Sequence, residues 1–127
     1  MSVTVSEKSA LLEAVADFSN KEIAPRVAAY DQAEEIPREI LEGMAELNMF
    51  GGVIDPELGG LGLDYMTFSD LIIEISKVCQ VLGTLVSMPS GLVGSSIDAF
   101  GTDEQKDRWL KPLAQGRSFG GAAVPEP

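Results

Sequence analysis

Carboxylate side chains form two short clusters, an arrangement that could support acid–base chemistry. The first contains Asp31, Glu34 and Glu35, and the second contains Asp55 and Glu57. Paired carboxylates act as general acid and base only when burial or a neighbouring charge separates their pKa values. Both clusters lie in polar segments that connect apolar helical patterns. We therefore predict that they are solvated loop charges, and we assign no catalytic residue to them.

The stretch GGVIDPELGGLGLDY, residues 51–65, is rich in glycine and could in principle bind phosphate through backbone amides. A dinucleotide-binding fingerprint needs a preceding strand, GxGxxG spacing and a helix that begins at the last glycine. This stretch has none of these, because the next helical pattern opens near Thr67, with Asp70 completing a predicted capping box. We predict a turn-rich crossing between two helices, in which Gly59 and Gly60 have positive φ angles.

The chain has no histidine and a single cysteine. Triads of Ser, His and Asp, pairs of Cys and His, and imidazole metal sites are therefore excluded within this sequence, and we assign no metal ligand. Cys79 lies on the apolar side of a helical pattern that continues on both sides, which predicts a packing role and a reducing compartment. Trp109 shares its pattern with Leu110 and Leu113, so we predict that it anchors the core.

The segment from Met88 to Ser96 combines small residues with apolar ones. A helix of this composition can present a smooth apolar groove that accommodates an acyl chain, or it can allow close packing of another helix. Pro89 lies inside the segment and predicts a kink or a restart of the helix. From composition alone, helix packing is favoured over a ligand groove.

Apolar residues recur at helical spacing along most of the chain, which predicts an orthogonal bundle of five or six helices. The clearest pattern begins at Phe68 and continues through Leu71 and Ile75. Thr102 and Gln105 form a second predicted capping box, at the start of the last helix. These helices are the elements that must position any site.

Composition limits the classes of partner. The chain is 45% apolar, which indicates a folded domain. Its net charge of -11 repels nucleic acid and acidic membrane surfaces. Neither a basic leader followed by an apolar stretch nor an apolar run long enough to span a membrane is present, so we expect a cytoplasmic protein.

Three segments follow one another in order: FSNKEIAPRVAAYD, IPREILEGMAELNMFGGVIDPELGGLGLD and FGTDEQKDRWLKPLAQGRSFGGAAVPEP. Their order and spacing resemble the N-terminal helical domain of the acyl-CoA dehydrogenases, and PELGGLG with GTDEQKDRWL is specific as a pair. The resemblance covers nearly the whole chain. It implies an all-α domain over residues 1–120, followed at residues 121–127 by the start of a β-strand that belongs to a middle β domain.

The resemblance also implies a function. Enzymes of this family use FAD to remove hydrogen from the α and β carbons of a CoA thioester, and they pass electrons to an electron-transfer flavoprotein. This chain would help to form the acyl-CoA pocket through Met88, Gly91, Leu92 and Ser95. The catalytic base lies in the C-terminal part in this family, so this chain alone would be inactive. It would require the remaining domains or a partner subunit, within an oligomeric enzyme.

The tail AAVPEP corresponds by position to a flavin-contacting strand of the family, with Ala122, Val124 and Pro125 near the cofactor. Threonine is usual where Pro125 stands, and proline supplies neither a hydroxyl nor a backbone N–H. This departure supports one alternative, a non-catalytic helical interaction module or subunit. A second alternative is a domain of an acyl-CoA oxidase-like flavoenzyme, because the resemblance implies that such enzymes share this domain.

Overall fold

The computed structural model describes residues 4–126, which form six continuous helical stretches and contain no strand. The predicted all-α fold is therefore confirmed. π-helical turns extend α1, join α5 to α6 and join α7 to α8, at Ser19–Ile23, Met88–Gly94 and Lys106–Leu110. The α-helices are α1 (Val5–Phe18), α2 (Val27–Ala33), α3 (Arg38–Glu46), α4 (Tyr65–Ser76), α5 (Gln80–Ser87), α6 (Ser95–Phe100), α7 (Asp103–Gln105) and α8 (Lys111–Ala114).

The core is centred on α4, which packs against both α1 and α5. Phe68, Leu71 and Ile75 form its buried face, as the helical spacing predicts. Val15 on α1 and Leu82 on α5 are completely buried against this face. Removal of these apolar side chains from water is the main source of stability for the bundle.

The start of α4 differs from the prediction. Asp64 is the N-cap: its carboxylate accepts hydrogen bonds from the Thr67 backbone N–H at 3.0 Å and from the Thr67 hydroxyl at 2.8 Å. The predicted box of Thr67 and Asp70 is wrong because Thr67 already lies inside the first turn. The Lys8 ammonium group on α1 also contacts the Asp64 carboxylate, which links the two helices. At the last helical stretch, the predicted capping box of Thr102 and Gln105 is confirmed.

We expect the charge of Asp64 to make stability depend on pH. The hydrogen bond from Lys8, followed by that from the Thr67 backbone, lowers the pKa of the Asp64 carboxyl well below its usual range. A carboxyl with a lower pKa in the folded state stabilises the protein above its unfolded pKa of about 3.9, and this contribution is lost as the pH falls towards the folded pKa. Asp64→Asn keeps a capping oxygen but removes the charge.

The natural chain should therefore be more stable than Asp64→Asn at neutral pH, and the difference should shrink as the pH falls below about 4. Urea unfolding followed by circular dichroism at several pH values measures this difference. Asp70→Asn, an exposed carboxylate on the same helix, is the matched control. A difference between the natural chain and Asp64→Asn that stays constant down to pH 2 would contradict this role.

The glycine-rich stretch is a compact crossing, as predicted. Two 3₁₀ turns, Met49–Gly51 and Pro56–Leu58, are held together by backbone hydrogen bonds. One of these hydrogen bonds runs from the Gly62 N–H to the Ile54 carbonyl, at 2.9 Å. Gly59 has the predicted positive φ, 87°, whereas the positive φ predicted for Gly60 is wrong. Close contact with the backbone of Ile54, rather than φ, accounts for the glycine at position 60.

The prediction that Cys79 lies inside a continuous helix is wrong. Cys79 is the extended N-cap residue that precedes α5 and is 8% exposed, so only its packing role is confirmed.

The end of the chain contains neither helix nor strand between residues 119 and 126. The strand predicted at 121–127 and the domain boundary after residue 120 therefore stay predictions, and Pro127 lies outside the described residues. Over residues 4–126, no helix has the length and apolar character that crossing a bilayer requires.

Candidate functional site

The candidate site is built on one long helical stretch, α5 continued through the π-helical turn into α6. Pro89 lacks the N–H that an α-helix would use at this position, and the π-helical turn carries the helix through it without a break. The predicted restart at Pro89 is therefore not observed, and the alternative, a kink, stays a prediction. This continuity aligns the residues from Met88 to Ser95 along a single helix.

Small residues on the inner face of this helix allow neighbouring elements to approach closely. A Cβ atom at Gly91 would lie 3.3 Å from the Phe68 ring on α4, and one at Gly94 would lie 3.2 Å from the Ile54 side chain. Ser90 is completely buried, and its hydroxyl donates to the Val86 carbonyl at 3.4 Å. The small residues of this face therefore serve packing.

The outer face of the same helix is apolar and partly open. Leu92 is 47% exposed, and Met88, four residues earlier, is half-buried. Residues four apart are neighbours on a helix surface, so these two side chains can form one apolar strip. Such a strip can border an aliphatic chain.

Ser95 lines a cavity of about 320 Å³ at the inner edge of the helix. Its hydroxyl donates to the Ser90 carbonyl at 3.2 Å. Tyr65 and Asp98 also line the cavity, and the Asp98 carboxylate lies 3.1 Å from the Lys106 ammonium group. The structure thus separates the four predicted substrate residues: Met88 and Leu92 point to the outer strip, whereas Gly91 and Ser95 contact the inner side.

Sequence reasoning did not identify Tyr65 as a neighbour of this helix. Tyr65 is the first residue of α4, lies thirty positions before Ser95 and is 69% exposed. Neither periodicity nor a motif links the two positions in the sequence. The juxtaposition follows only from the packing of α4 beside the long helix.

The residues predicted to approach FAD lie in the extended tail. Ala122, Val124 and Pro125 are all exposed, and Val124 is 82% exposed. Pro125 has no N–H to donate, and the tail alone forms no enclosure around the three residues. These residues do not by themselves make a flavin site. Earlier in the tail, the Phe119 ring packs edge-on against Phe50 with ring centroids 5.2 Å apart, which holds the segment against the bundle.

The remaining candidates from the sequence are accounted for by structure. The five clustered carboxylates, Asp31, Glu34, Glu35, Asp55 and Glu57, are exposed, as predicted. They are not all loop residues as predicted, because Asp31 lies within α2 and Glu57 lies within the second 3₁₀ turn. One of them, Asp55, caps the second 3₁₀ turn by accepting from the Glu57 N–H at 2.8 Å. No group of three or more potential ligands within residues 4–126 is arranged to hold a metal ion.

Trp109 is not a core anchor. Its side chain is 48% exposed, whereas Leu110 and Leu113 are buried, because the inner face of this helix runs through the two leucines and Trp109 lies one residue to the side. The Arg108 guanidinium lies 4.8 Å from the centre of the Trp109 ring. This is the geometry of a cation–π contact at the surface.

Residues 6–117 match the family model described as "Acyl-CoA dehydrogenase, N-terminal domain". The chain is 34% identical over 121 residues to the short-chain-specific acyl-CoA dehydrogenase of Clostridium acetobutylicum, covering 95% of this chain and 32% of that enzyme. It is 37% identical over 111 residues to the 3-(aryl)acrylate reductase of Clostridium sporogenes, covering 87% of this chain and 29% of the relative.

A solved structure described as an electron transferring flavoprotein of Acidaminococcus fermentans contains a similar domain. The TM-score is 0.83 at 31% identity, and the match covers 94% of this chain and 31% of the other. The chain thus spans about a third of the length of the proteins that it matches. The chain belongs to the acyl-CoA dehydrogenase family, in which it corresponds to the N-terminal helical domain.

Proposed function

We propose that this chain supplies the N-terminal domain of an FAD-dependent acyl-CoA dehydrogenase and borders the acyl chain of a CoA thioester. One observation carries the proposal. Leu92 remains 47% exposed on a helix whose other face is buried, and Met88 lies one turn before it. An apolar strip that is left open within an oxidoreductase domain suits an aliphatic substrate.

Within the proposed site, the four residues have different roles. Met88 and Leu92 contact the acyl chain, since both are apolar and lie on the outer face. Gly91 allows the helix to lie against Phe68, which sets the depth of the wall. Ser95 places a hydroxyl at the edge of the 320 Å³ cavity. None of these residues exchanges a proton with the substrate, so the catalytic base is assigned to another part of the enzyme.

FAD is proposed to be held mainly by parts of the enzyme other than this chain. The exposed tail supports this, because Ala122, Val124 and Pro125 present surface without enclosing it. The chain alone should accordingly purify without flavin absorbance and should not oxidise acyl-CoA.

The proposed partners follow from the same assignment. The chain would associate with the remaining domains or with a partner subunit in an oligomeric cytoplasmic enzyme. An electron-transfer flavoprotein is the proposed electron acceptor. The similarity of this chain to a domain in the structure described as an electron transferring flavoprotein of Acidaminococcus fermentans supports that choice.

A chimeric enzyme tests the proposed function. This chain would replace the matching N-terminal third of the Clostridium acetobutylicum dehydrogenase, and flavin absorbance would be followed after addition of a short-chain acyl-CoA. We expect a flavin-containing protein whose absorbance is bleached by substrate. A chimera that binds flavin but is never reduced would favour the non-catalytic module, and rapid direct reoxidation by oxygen would favour the oxidase-like enzyme.

Substitution at the apolar strip tests the position of the site. Leu92→Lys should slow bleaching at low acyl-CoA by about tenfold or more, because the wall would then carry a charge that must be desolvated, while flavin content stays unchanged. Val81→Lys is the matched control, since Val81 is 55% exposed on the same long helix. Equal effects of the two substitutions would contradict the assignment of Leu92 to the acyl wall.

A further inference from the structure

The π-helical turn Met88–Gly94 keeps one row of residues buried along the whole of the long helix. The row has a residue at every fourth position and consists of Leu82, Val86, Ser90 and Gly94. In a regular α-helix, residues four apart differ in direction by about 40°, so this row would drift by about 120° around the axis. A π-helical turn advances less per residue, because its hydrogen bonds span five residues, and it therefore reduces the drift. The same geometry keeps Met88 and Leu92 aligned on the outer face.

Ser95 holds the end of this turn through two hydrogen bonds to the backbone. Its hydroxyl donates to the Ser90 carbonyl, five residues earlier, at 3.2 Å, and this contact is partly buried. Its backbone N–H donates to the carbonyl of Leu92. One residue is thus bonded both to the buried row, at Ser90, and to the exposed residue of the acyl wall, at Leu92.

The neighbouring hydroxyl group makes a different contact. The Ser96 hydroxyl donates to the Leu92 carbonyl at 2.8 Å, four residues earlier, and this bond is exposed. Four residues is the interval of an ordinary α-helix, whereas the Ser95 hydroxyl spans the five-residue interval of the π-helical turn. The turn is also tightly closed, since a Cβ atom at Gly94 would lie 2.6 Å from the Pro89 carbonyl oxygen.

We propose that Ser95 is a positioning residue of the acyl wall: its hydroxyl fixes the π-helical turn and thereby the direction in which Leu92 faces. The assignment rests on the proposed function of this chain. Ser95 acts through Leu92, so the acyl chain need not contact the hydroxyl, which is already donated to Ser90. Without that hydrogen bond the turn is free to rearrange towards α-helical bonding, and Leu92 would rotate away from the wall.

Steady-state kinetics of the chimeric enzyme described above test the role of Ser95. Ser95→Ala should raise KM for a short-chain acyl-CoA by about three- to tenfold, the effect of one lost hydrogen bond. Because a displaced wall weakens binding of substrate and transition state alike, kcat and flavin content should stay unchanged. A role in general stability alone would lower the flavin content without this separation of KM from kcat.

Two further variants separate the hydroxyl from the side chain that carries it. Ser95→Thr keeps the hydroxyl, and its extra methyl group has room in the 320 Å³ cavity that Ser95 lines, so KM should stay within about twofold of the natural value. Ser96→Ala is the matched control, because it removes an exposed hydroxyl from the next position of the same helix. It should leave KM unchanged.

Amide hydrogen exchange of the complete chain tests the structural half of the proposal without any enzyme activity. Ser95→Ala should speed exchange of the Ser95 amide, corrected for its intrinsic rate, by about threefold or more, because local opening of the turn becomes easier. Ser96→Ala should not. Circular dichroism verifies that every variant is folded.

The outcomes distinguish this proposal from the function on which it rests. Equal KM values for Ser95→Ala and Ser96→Ala, a Ser95→Thr enzyme that is no better than Ser95→Ala, or unchanged amide exchange in Ser95→Ala would each overturn the role of Ser95 alone. A chimera with the natural sequence that binds flavin but is never reduced by acyl-CoA would instead contradict the proposed function, and this assignment with it.

Discussion

Replacing Phe50 with alanine should lower the free energy of unfolding by about 3–5 kcal/mol, because it deletes a completely buried aromatic ring. Phe50 lies in the 3₁₀ turn Met49–Gly51, between α3 and the glycine-rich crossing. Its ring also supports Phe119 through an edge-on contact, with centroids 5.2 Å apart. The substitution should therefore leave a cavity and also release the start of the tail.

Urea unfolding followed by circular dichroism measures this loss, with the slope against urea reporting any change in the surface exposed on unfolding. Phe100→Ala is the matched control because the same ring is removed at a position that is 90% exposed. The control should change stability by less than about 0.5 kcal/mol. Comparable losses in the two variants would show that Phe50 is not a central core residue.

Substitution of Gly60 by alanine should be almost as damaging, with an expected loss of about 2–4 kcal/mol. A Cβ atom at this position would overlap the carbonyl of Ile54 and lie 2.7 Å from the Ile54 Cβ. That carbonyl also accepts the Gly62 N–H at 2.9 Å, so any movement that relieves the overlap strains a hydrogen bond of the crossing. Backbone atoms cannot turn aside as a flexible side chain can.

Gly121→Ala provides the control for this prediction, because no atom lies within 4 Å of a Cβ built at Gly121. Thermal and urea unfolding should show little change for Gly121→Ala and a large loss for Gly60→Ala. If Gly60→Ala is as stable as the natural chain, the close approach of the two turns is not a requirement of the fold. The comparison thus separates a glycine required by packing from one in an open tail.

Local patterns in the sequence predicted the helices well. Phe68, Leu71 and Ile75 are buried because residues at helical spacing share one face, and this rule needs no knowledge of the neighbouring elements. The capping box of Thr102 and Gln105 was predictable for the same reason, since both partners lie within a single turn. The start of α4 was misplaced because Asp64 and Thr67 are both common capping residues, and only the observed hydrogen bonds distinguish them.

The candidate site was predictable only in part. Its location on the helix around Met88 and Leu92 came from the resemblance to the family, and the structure adds that Leu92 is open to solvent. The cavity beside Ser95 could not be predicted, because it depends on how closely α4 and the crossing approach the long helix. Residue spacing within one helix carries no information about that distance.

The sequence by itself determined the helical class, the buried face of α4 and the membership of the family, because these depend on spacing and motif order along the chain. Tertiary structure alone decided that Gly60 is required by the Ile54 backbone, that Trp109 lies at the surface and that Tyr65 borders the cavity beside Ser95. The physical reason is that each of these outcomes depends on contacts between separate elements, where packing fixes distances that no local pattern encodes.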